Sequence, residues 1–376
     1  MQLTTTKGTQ VKKILLVAAI ALLVYLIFWP VAVDPVAWQS TPSQGYTGVF
    51  RPNTQLAAIE RLPMSDNQAQ LHGPEAVAIG PDNWLYFSTG EGWIIRHNPD
   101  TGISSQWVDV GGRPLGLAFD TQGDLLVANA YLGLQAISPG GAVHLLTDHV
   151  AGRRIEYADD LDIGTDGIIY FSDASTKFAA QHFGGTYPAS ILDLLEHGGH
   201  GELLAYNPES GRTSVLLDGL QFANGVAVSA DGSFVLVNET GANRIARYWL
   251  SGEKTGQSDI FIAGLPGFPD NIIRHGEHFW VGLVSPRLPV LDKLAGWPLL
   301  RKMIARLPEQ LKPAAKHYSH VIKIDSDGRV LESLQDPKGG YHTITGALPI
   351  TVNSGDWLYL TSLHESSLAR LPYPSE

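Results

Sequence analysis

A pattern of two short apolar strands joined by a polar turn recurs along most of the chain. Apolar and polar positions alternate within the strands, and the turns contain Gly or Asp, which is typical of β-hairpins. Most copies follow one another at a spacing of about 40 residues, the length of one propeller blade. The six copies begin at Glu75, Leu115, Asp160, Asn224, Asn271 and Ala347.

This repeat predicts an all-β fold, a six-bladed β-propeller over residues 54–376. One blade cannot bury both of its faces, whereas six blades around an axis cover one another and protect their sheet edges. The segment from Thr54 to Leu62 precedes the first copy, and we expect it to form the outer strand of the last blade. A β-sandwich also contains many short strands, but a regular long repeat is not typical of it.

The N-terminal segment has a different pattern, because residues 14–33 are uncharged and almost entirely apolar. A helix needs about 20 apolar residues to cross the hydrocarbon core of a bilayer, and this run has that length. A cleaved signal peptide is the alternative, but its apolar region is about 7–15 residues long and ends in small side chains. This run ends in bulky Phe28, Trp29 and Pro30, which suit the membrane interface better than a cleavage site and favour an uncleaved transmembrane anchor.

The charges that flank the apolar run predict its orientation. Lysines, including Lys12 and Lys13, precede the run and Asp34 follows it, so the positive-inside rule places residues 1–13 in the cytoplasm. Residues 34–53 are then a linker, and the propeller lies in the periplasm or outside the cell.

Composition excludes several classes of function. The 376-residue chain has a net charge of -11, which argues against a nucleic-acid partner. It has no cysteine, which excludes disulfides, thiolate nucleophiles and Cys-ligated zinc or iron–sulfur clusters. It also lacks the G-x-S-x-G and H-E-x-x-H motifs and a Gly-rich phosphate loop. A metal that polarises a carbonyl is the simplest catalyst that remains.

Polar residues occur in register at the start of the first strand in four copies, where a buried strand is normally apolar. First strands line the channel of a propeller, so these side chains converge on its axis. Carboxylates that close together raise one another's pKa unless a cation neutralises them. Carboxylate and amide oxygens suit Ca²⁺, with Mg²⁺ or Mn²⁺ as alternatives, and do not suit zinc or copper. The predicted ligands are Glu75, Asp159, Asn224, Asp270 and Asn271.

Histidines provide the candidates for proton transfer. His364 directly follows the inner strands of the last copy, and we predict that it and Asp159 are catalytic. His182, His197 and His342 are further candidates for a base or a proton shuttle.

Two intervals exceed the repeat length, and such insertions often carry function. Residues 176–200 are rich in aromatic residues, His and Gly. Residues 286–315 carry Leu, Ile and Trp at roughly helical spacing, which is typical of a lid helix, an interfacial membrane helix or a packing insertion.

The motifs GPEAVA, GRPLGLAF, ADDLDI, FANGVAVSADG and LPGFPDNI resemble the strictosidine synthase-like family. That family is related to the paraoxonases and to gluconolactonase/regucalcin, which are calcium-dependent lactonases. The resemblance covers about residues 55–373, and an anchor followed by a propeller is most similar to the adipocyte plasma membrane-associated protein type.

The resemblance implies one catalytic calcium ion. Asp159 stands where the paraoxonases usually have Asn, which adds a negative charge. Asp160 matches an acidic residue that binds a second, structural calcium there, but Ala76 replaces another acidic residue of that second site. The paraoxonase catalytic His of the second blade is absent here. The residues that match the catalytic-calcium positions are Glu75, Asn224, Asp270 and Asn271.

We therefore expect a membrane-anchored, calcium-dependent hydrolase whose partner is a small lactone or aryl ester. One alternative is a non-catalytic anchored propeller that binds a protein partner through its channel or its helical insertion. The other is a condensing enzyme of the strictosidine synthase type, which needs a Glu in the last blade. The segment ALPITVNSGDW has no acidic residue suited to that role.

Overall fold

The described chain forms two compact units. The structure is a computed structural model that describes residues 4–65, 71–353 and 355–373. The smaller unit comprises the N-terminal residues up to Ser40, Leu195–Gly198 and Leu288–Ala314. The larger unit comprises the other described residues and contains all of the described strands.

Six four-stranded antiparallel sheets make up the larger unit, and the first strands of neighbouring blades contact one another. Blade 1 contains the strands Val77–Ile79, Leu85–Ser88, Trp93–His97 and Ser104–Asp109. Blade 2 contains Pro114–Phe119, Leu125–Asn129, Gly133–Ile137 and Val143–Thr147. Blade 3 contains Ala158–Ile163, Ile169–Asp173, Gly201–Asn207 and Arg212–Leu220. Blade 4 contains Ala223–Val228, Phe234–Glu239, Arg244–Trp249 and Ser258–Ala263. Blade 5 contains Gly267–His275, His278–Pro286, Ser319–Ile324 and Val330–Asp336. Blade 6 contains Ile344–Val352, Gly355–Ser362, Leu368–Pro372 and Glu60–Leu62. The predicted six-bladed propeller is confirmed.

Apolar side chains fill the space between neighbouring blades. One buried cluster joins Phe234 of blade 4 to Phe279 and Ile322 of blade 5. Another joins Leu126 of blade 2 to Phe171 of blade 3. Each blade therefore buries its faces only against its neighbours, as the repeat predicts.

The sixth blade combines the two ends of the propeller sequence. Glu60–Leu62 pairs antiparallel with Leu368–Pro372, and the Arg370 Nε donates to Glu60 Oε2 at 2.8 Å. The outer strand lies within the segment predicted for it, although Gln55–Ala58 is a 3₁₀ helix. This pairing closes the ring by joining the two ends of the propeller sequence within one sheet.

The smaller unit begins with helix α1, Thr4–Phe28, whose stretch Gln10–Phe28 is long and apolar enough to cross a membrane. The apolar run was expected to continue to residue 33, but the helix ends at Phe28. Pro30 explains this end, because proline disfavours the helical conformation in the residue before it.

Helices also occupy both long intervals. The first interval contains α2, Thr186–Glu196, and the second contains α3, Pro289–Lys293, and α4, Pro298–Ala305. The remaining short elements are a two-stranded ribbon, His149–Val150 with Arg153–Arg154, and the 3₁₀ helices Gly48–Phe50, Thr240–Ala242 and Glu309–Leu311.

The buried side chain of Arg301 organises the smaller unit. Its guanidinium donates to the main-chain carbonyls of Val36 and Leu195 and stacks over the Trp38 ring at 4.2 Å. One turn further on, Arg306 Nη1 donates to the Leu26 carbonyl of α1 at 3.0 Å. These contacts support the packing interpretation of the second insertion.

Two buried histidines make the stability of the propeller depend on pH. His97 and His320 lie on the third strands of blades 1 and 5, and each bonds a serine of the fourth strand at 2.9 Å. Burial lowers the pKa of His97 to about 4 and that of His320 to about 3.

We predict that His320→Gln makes the protein relatively more stable as the pH falls. Because the folded-state pKa is depressed, the unfolded chain binds the proton first, and stability is lost below about pH 6.5. Glutamine does not titrate, so its stability relative to wild type should improve by about 2 kcal/mol between pH 6.5 and 5. Urea unfolding at several pH values measures this difference. The exposed control His144→Gln should follow wild type, and an H320Q profile parallel to wild type would contradict the prediction.

Candidate metal centre

The first strands of blades 2 to 6 each carry an irregularity in register near their start. A β-bulge leaves extra residues on one strand unpaired and re-aims their side chains. The predicted ligands Asp159, Asn224, Asp270 and Asn271 lie within these irregular stretches. The shifts fall in residues 114–117, 158–161, 223–226, 269–272 and 344–347.

Hydrogen bonds join the predicted ligands of blades 1 and 5, and a further donor comes from blade 6. The Asn271 side-chain amide donates to the Glu75 carbonyl at 2.9 Å and to Glu75 Oε1 at 3.1 Å. Thr345 Oγ1 donates to the same carbonyl at 2.6 Å. The Asn224 side chain lowers the pKa of the Asp270 carboxyl, so blade 4 also contributes to the cluster. Side chains that are far apart in the sequence therefore meet where the first strands converge.

Three of these residues keep a fully buried oxygen that has no hydrogen-bond partner among the described residues. The atoms are Glu75 Oε2, Asn224 Oδ1 and Asn271 Oδ1. A buried polar group left unsatisfied costs about 1–3 kcal/mol. A hard cation would accept electron pairs from all three, so the donor set fits calcium.

The acidic members of the cluster resist ionisation. Burial raises the pKa of Glu75 to about 7, an effect that the charge of Arg113 and the Asn271 amide partly offset. Burial, followed by the charge of Glu75, raises the pKa of Asp159 and of Asp270 well above the usual range. A bound cation would favour the ionised forms of these carboxylates.

The described acidic residues and histidines do not form a metal site by themselves. Among the residues that the structure describes, no group of three or more His, Cys, Asp or Glu side chains is arranged to hold a metal ion. The three predicted acidic ligands, Glu75, Asp159 and Asp270, therefore do not form such a group by themselves, and the prediction depends on the oxygens of Asn224 and Asn271 as well. Calcium binding at this cluster stays a prediction.

Asp160 connects two blades. Its Oδ2 accepts the Val226 N–H at 2.9 Å, and Asp162 Oδ2 accepts the Val228 N–H at 2.8 Å. Both acceptors lie on the first strand of blade 3 and both donors on the first strand of blade 4. These bonds account for the buried Asp160 carboxylate without a second calcium ion.

His364, the predicted catalytic histidine, lies beside two other histidines. Burial, then the positive charges of His342, Arg113 and His317, lowers the pKa of His364, so its imidazole is neutral at pH 7. Its ring packs edge-on against Tyr187, with ring centroids 5.1 Å apart.

The remaining histidine candidates have different surroundings. His342 stacks on His317 at 3.7 Å, and its main-chain N–H donates to Glu365 Oε1. His182 is exposed, and His197 stacks on Trp38 within the smaller unit. Of the additional candidates, His342 is the one whose charge acts on His364.

Sequence reasoning missed Arg113 as a site residue. It precedes the ligand register of blade 2 by two positions, and its side chain is almost fully buried. Its charge lowers the pKa of Glu75, Asp159 and Asp270. The available signal was a cationic residue directly before a strand that lines the channel.

Comparisons with known proteins agree with the resemblance drawn from the motifs. The strictosidine synthase family model matches residues 159–253, and the N-terminal model of strictosidine synthase-like proteins matches residues 48–97. Strictosidine synthase-like protein 4 of Arabidopsis thaliana is 34% identical over 81% of this chain and 81% of its own length. Adipocyte plasma membrane-associated protein of Bos taurus is 33% identical over 91% of this chain and 84% of its own length.

Solved structures with the same fold are more distant in sequence. A gluconolactonase from Xanthomonas campestris superimposes with a TM-score of 0.58 at 19% identity, covering 91% of this chain and all of that one. The calcium-binding protein regucalcin from Agrobacterium tumefaciens gives 0.55 at 16% identity, covering 82% of this chain and 94% of that one. At these identities the likeness is one of fold.

We predict that calcium stabilises the protein through the axial cluster. A ligand at a hundred times its dissociation constant adds about 2.7 kcal/mol to the free energy of unfolding. Thermal unfolding in chelator and in calcium should show this gain in wild type and its loss in Glu75→Gln. The control Asp160→Asn should unfold more easily in both buffers yet keep the calcium-dependent gain. A wild-type protein that gains nothing from calcium, magnesium or manganese would refute the metal site.

Proposed function

Since this chain belongs to the strictosidine synthase-like family, we propose that it is a membrane-anchored, calcium-dependent hydrolase of lactones or aryl esters. The observation that carries the proposal is the cluster of buried, unpartnered oxygens at the convergence of the first strands. A cation bound at its centre would satisfy these oxygens and favour the ionised carboxylates. The likeness to a gluconolactonase and to regucalcin is one of fold, and it is consistent with this chemistry.

The residues that would hold the ion are those predicted from the sequence. When bound, calcium supplies a positive charge that polarises an ester carbonyl and stabilises the oxyanion that develops from it. The proposed ligands are Glu75, Asp159, Asn224, Asp270 and Asn271.

His364 is the proposed general base. Its lowered pKa keeps the imidazole unprotonated at pH 7, ready to accept a proton from water. The water oxygen adds to the ester carbonyl, the carbonyl–oxygen bond to the leaving group breaks, and the proton passes from His364 to the departing oxygen. A lactone then opens to a hydroxycarboxylate. Asp159 is the alternative base, since burial favours its protonated form and makes its carboxylate more basic.

A strictosidine synthase-type condensation is less well supported. Glu365 is an acidic residue of the last blade next to His364. Its carboxylate forms an ion pair with Arg61 at 2.7 Å and accepts the His342 main-chain N–H at 3.1 Å. These contacts occupy the carboxylate, so it is poorly placed to bind an amine substrate.

Membrane attachment through α1 is part of the proposal. The stretch Gln10–Phe28 has the length and composition of a span, and a similar protein is named for its association with the plasma membrane. The charges around the stretch favour a cytoplasmic N-terminus and an extracytoplasmic propeller.

Glu75→Gln should abolish most of the calcium-dependent activity. The substitution removes a charge while it preserves size, so we expect kcat/KM for phenyl acetate and for simple lactones to fall at least a hundredfold. Chelator should reduce the wild-type enzyme to the same level, and added calcium should restore only wild type. If the variant retains full activity in chelator, the proposed mechanism is wrong.

His364→Gln should lower kcat by a factor of about 10²–10⁴, because a general base contributes that much. Calcium-dependent stabilisation should remain, since His364 is not among the proposed ligands. Wild type should lose kcat/KM at low pH as His364 is protonated, and this acid limb of the pH profile should disappear in the variant. The exposed His144→Gln serves as the matched control. If His364→Gln changes kcat only slightly, His364 is not the general base, and Asp159 becomes the candidate.

A further inference from the structure

Arg113 is a buried cation whose hydrogen-bonding capacity is mostly unused. Its side chain lies directly before the first strand of blade 2, and the residue is only 6% exposed. Its one side-chain hydrogen bond is a long contact of 3.5 Å from Nη1 to the Gly73 carbonyl. Among the described residues it forms no ion pair with a carboxylate at 4 Å or less. Most of the donors of this guanidinium are therefore not used by the described part of the chain.

The free donors of Arg113 remain accessible to solvent. Nε and Nη2 have no hydrogen-bond partner in the described chain, yet neither belongs to the fully buried atoms that lack one. Two glycines make room for the guanidinium. A Cβ on Gly73 would lie 3.0 Å from Nη2, and one on Gly90 would lie 3.2 Å from Nη1. Glycine at these two positions thus lets the guanidinium pack directly against the main chain.

The positive charge of Arg113 lowers the pKa of groups in the axial cluster and of the proposed base. They are Glu75, Asp159 and Asp270 of the axial cluster and His364, the proposed base. A Cβ on Gly73 would lie 3.0 Å from Arg113 Nη2 and 2.6 Å from the carbonyl oxygen of Leu363, the residue before His364. The guanidinium therefore lies beside the segment that carries the proposed base. A ligand that reaches His364 and the cluster is therefore close to Arg113.

We propose that Arg113 binds a carboxylate of the substrate, so that the preferred substrates are esters or lactones that carry an anionic group. This inference rests on the hydrolase proposed above. The guanidinium offers parallel N–H donors that match both oxygens of a carboxylate, and such charge-assisted pairs are strong when water is excluded. Its charge also offsets part of the negative potential of the acidic cluster, which would otherwise repel an anion.

Binding of matched probes tests the inference without requiring turnover. Benzoate and benzamide have the same shape and differ in charge, and their dissociation constants are measured by calorimetry on the full-length, calcium-loaded protein. Wild type should prefer benzoate, and Arg113→Gln should reduce the benzoate-to-benzamide affinity ratio at least tenfold. Arg113→Lys keeps the charge without the planar donors and should give an intermediate ratio. The exposed Arg212→Gln controls for the loss of one positive charge.

A second matched pair, of two ester substrates, tests whether this binding also affects catalysis. The ratio of kcat/KM for phenyl hydrogen succinate to that for phenyl butyrate should fall at least tenfold in Arg113→Gln, mainly through KM. A wild-type protein without preference for benzoate, or a variant that leaves both ratios unchanged, would overturn the role of Arg113. Preferential benzoate binding that depends on Arg113, without hydrolysis of any ester or lactone, would instead refute the hydrolase and retain the anion site.

Discussion

The first strands of the blades converge on a common axis, and this crowding determines which residues each position accepts. A Cβ on Gly116 would lie 2.6 Å from the Asp160 Cα, and one on Gly225 would lie 2.5 Å from the Asp270 carbonyl oxygen. Blades 2 and 4 therefore present glycine where blades 3 and 5 present Asp160 and Asn271. Polar side chains occupy the space that the glycines leave, and the channel becomes a packed polar core.

Buried carboxylates in such a core need partners, and the chain satisfies them in two ways. Asp160 and Asp162 accept main-chain N–H groups of blade 4, so their charge serves to join blades. Glu75 and the two asparagines retain unpartnered oxygens. An unsatisfied buried acceptor is destabilising, so an ion bound to the second group would stabilise the protein. The carboxylates of the first group already have hydrogen-bond donors. Acidic residues that are adjacent in the sequence can therefore differ completely in their role.

The repeat in the sequence was sufficient to predict the six blades and the origin of the outer strand Glu60–Leu62, since both follow from the period of the apolar pattern. The register of the polar residues identified the cluster around Glu75, because equivalent positions in a propeller share the axis. Arg113 and His317 were missed since each precedes a strand, and its side-chain direction depends on turns that the pattern does not specify. The apolar run did not reveal that α1 ends at Phe28, because hydropathy does not register the backbone restriction at Pro30.

The fold determines the positions of the axial cluster more closely than those of the neighbouring histidines and of Arg113. Glu75, Asp159 and Asp270 come from inner strands whose positions the propeller dictates, so any similar propeller is able to carry such a cluster. His364, His342 and Arg113 instead lie in segments that flank strands of the blades. Fold similarity therefore supports a polar axial site, and the choice of substrate depends on the flanking segments. In this chain those segments place a neutral histidine and a buried cation next to the acidic cluster, a combination suited to a polarised carbonyl with an anionic group nearby.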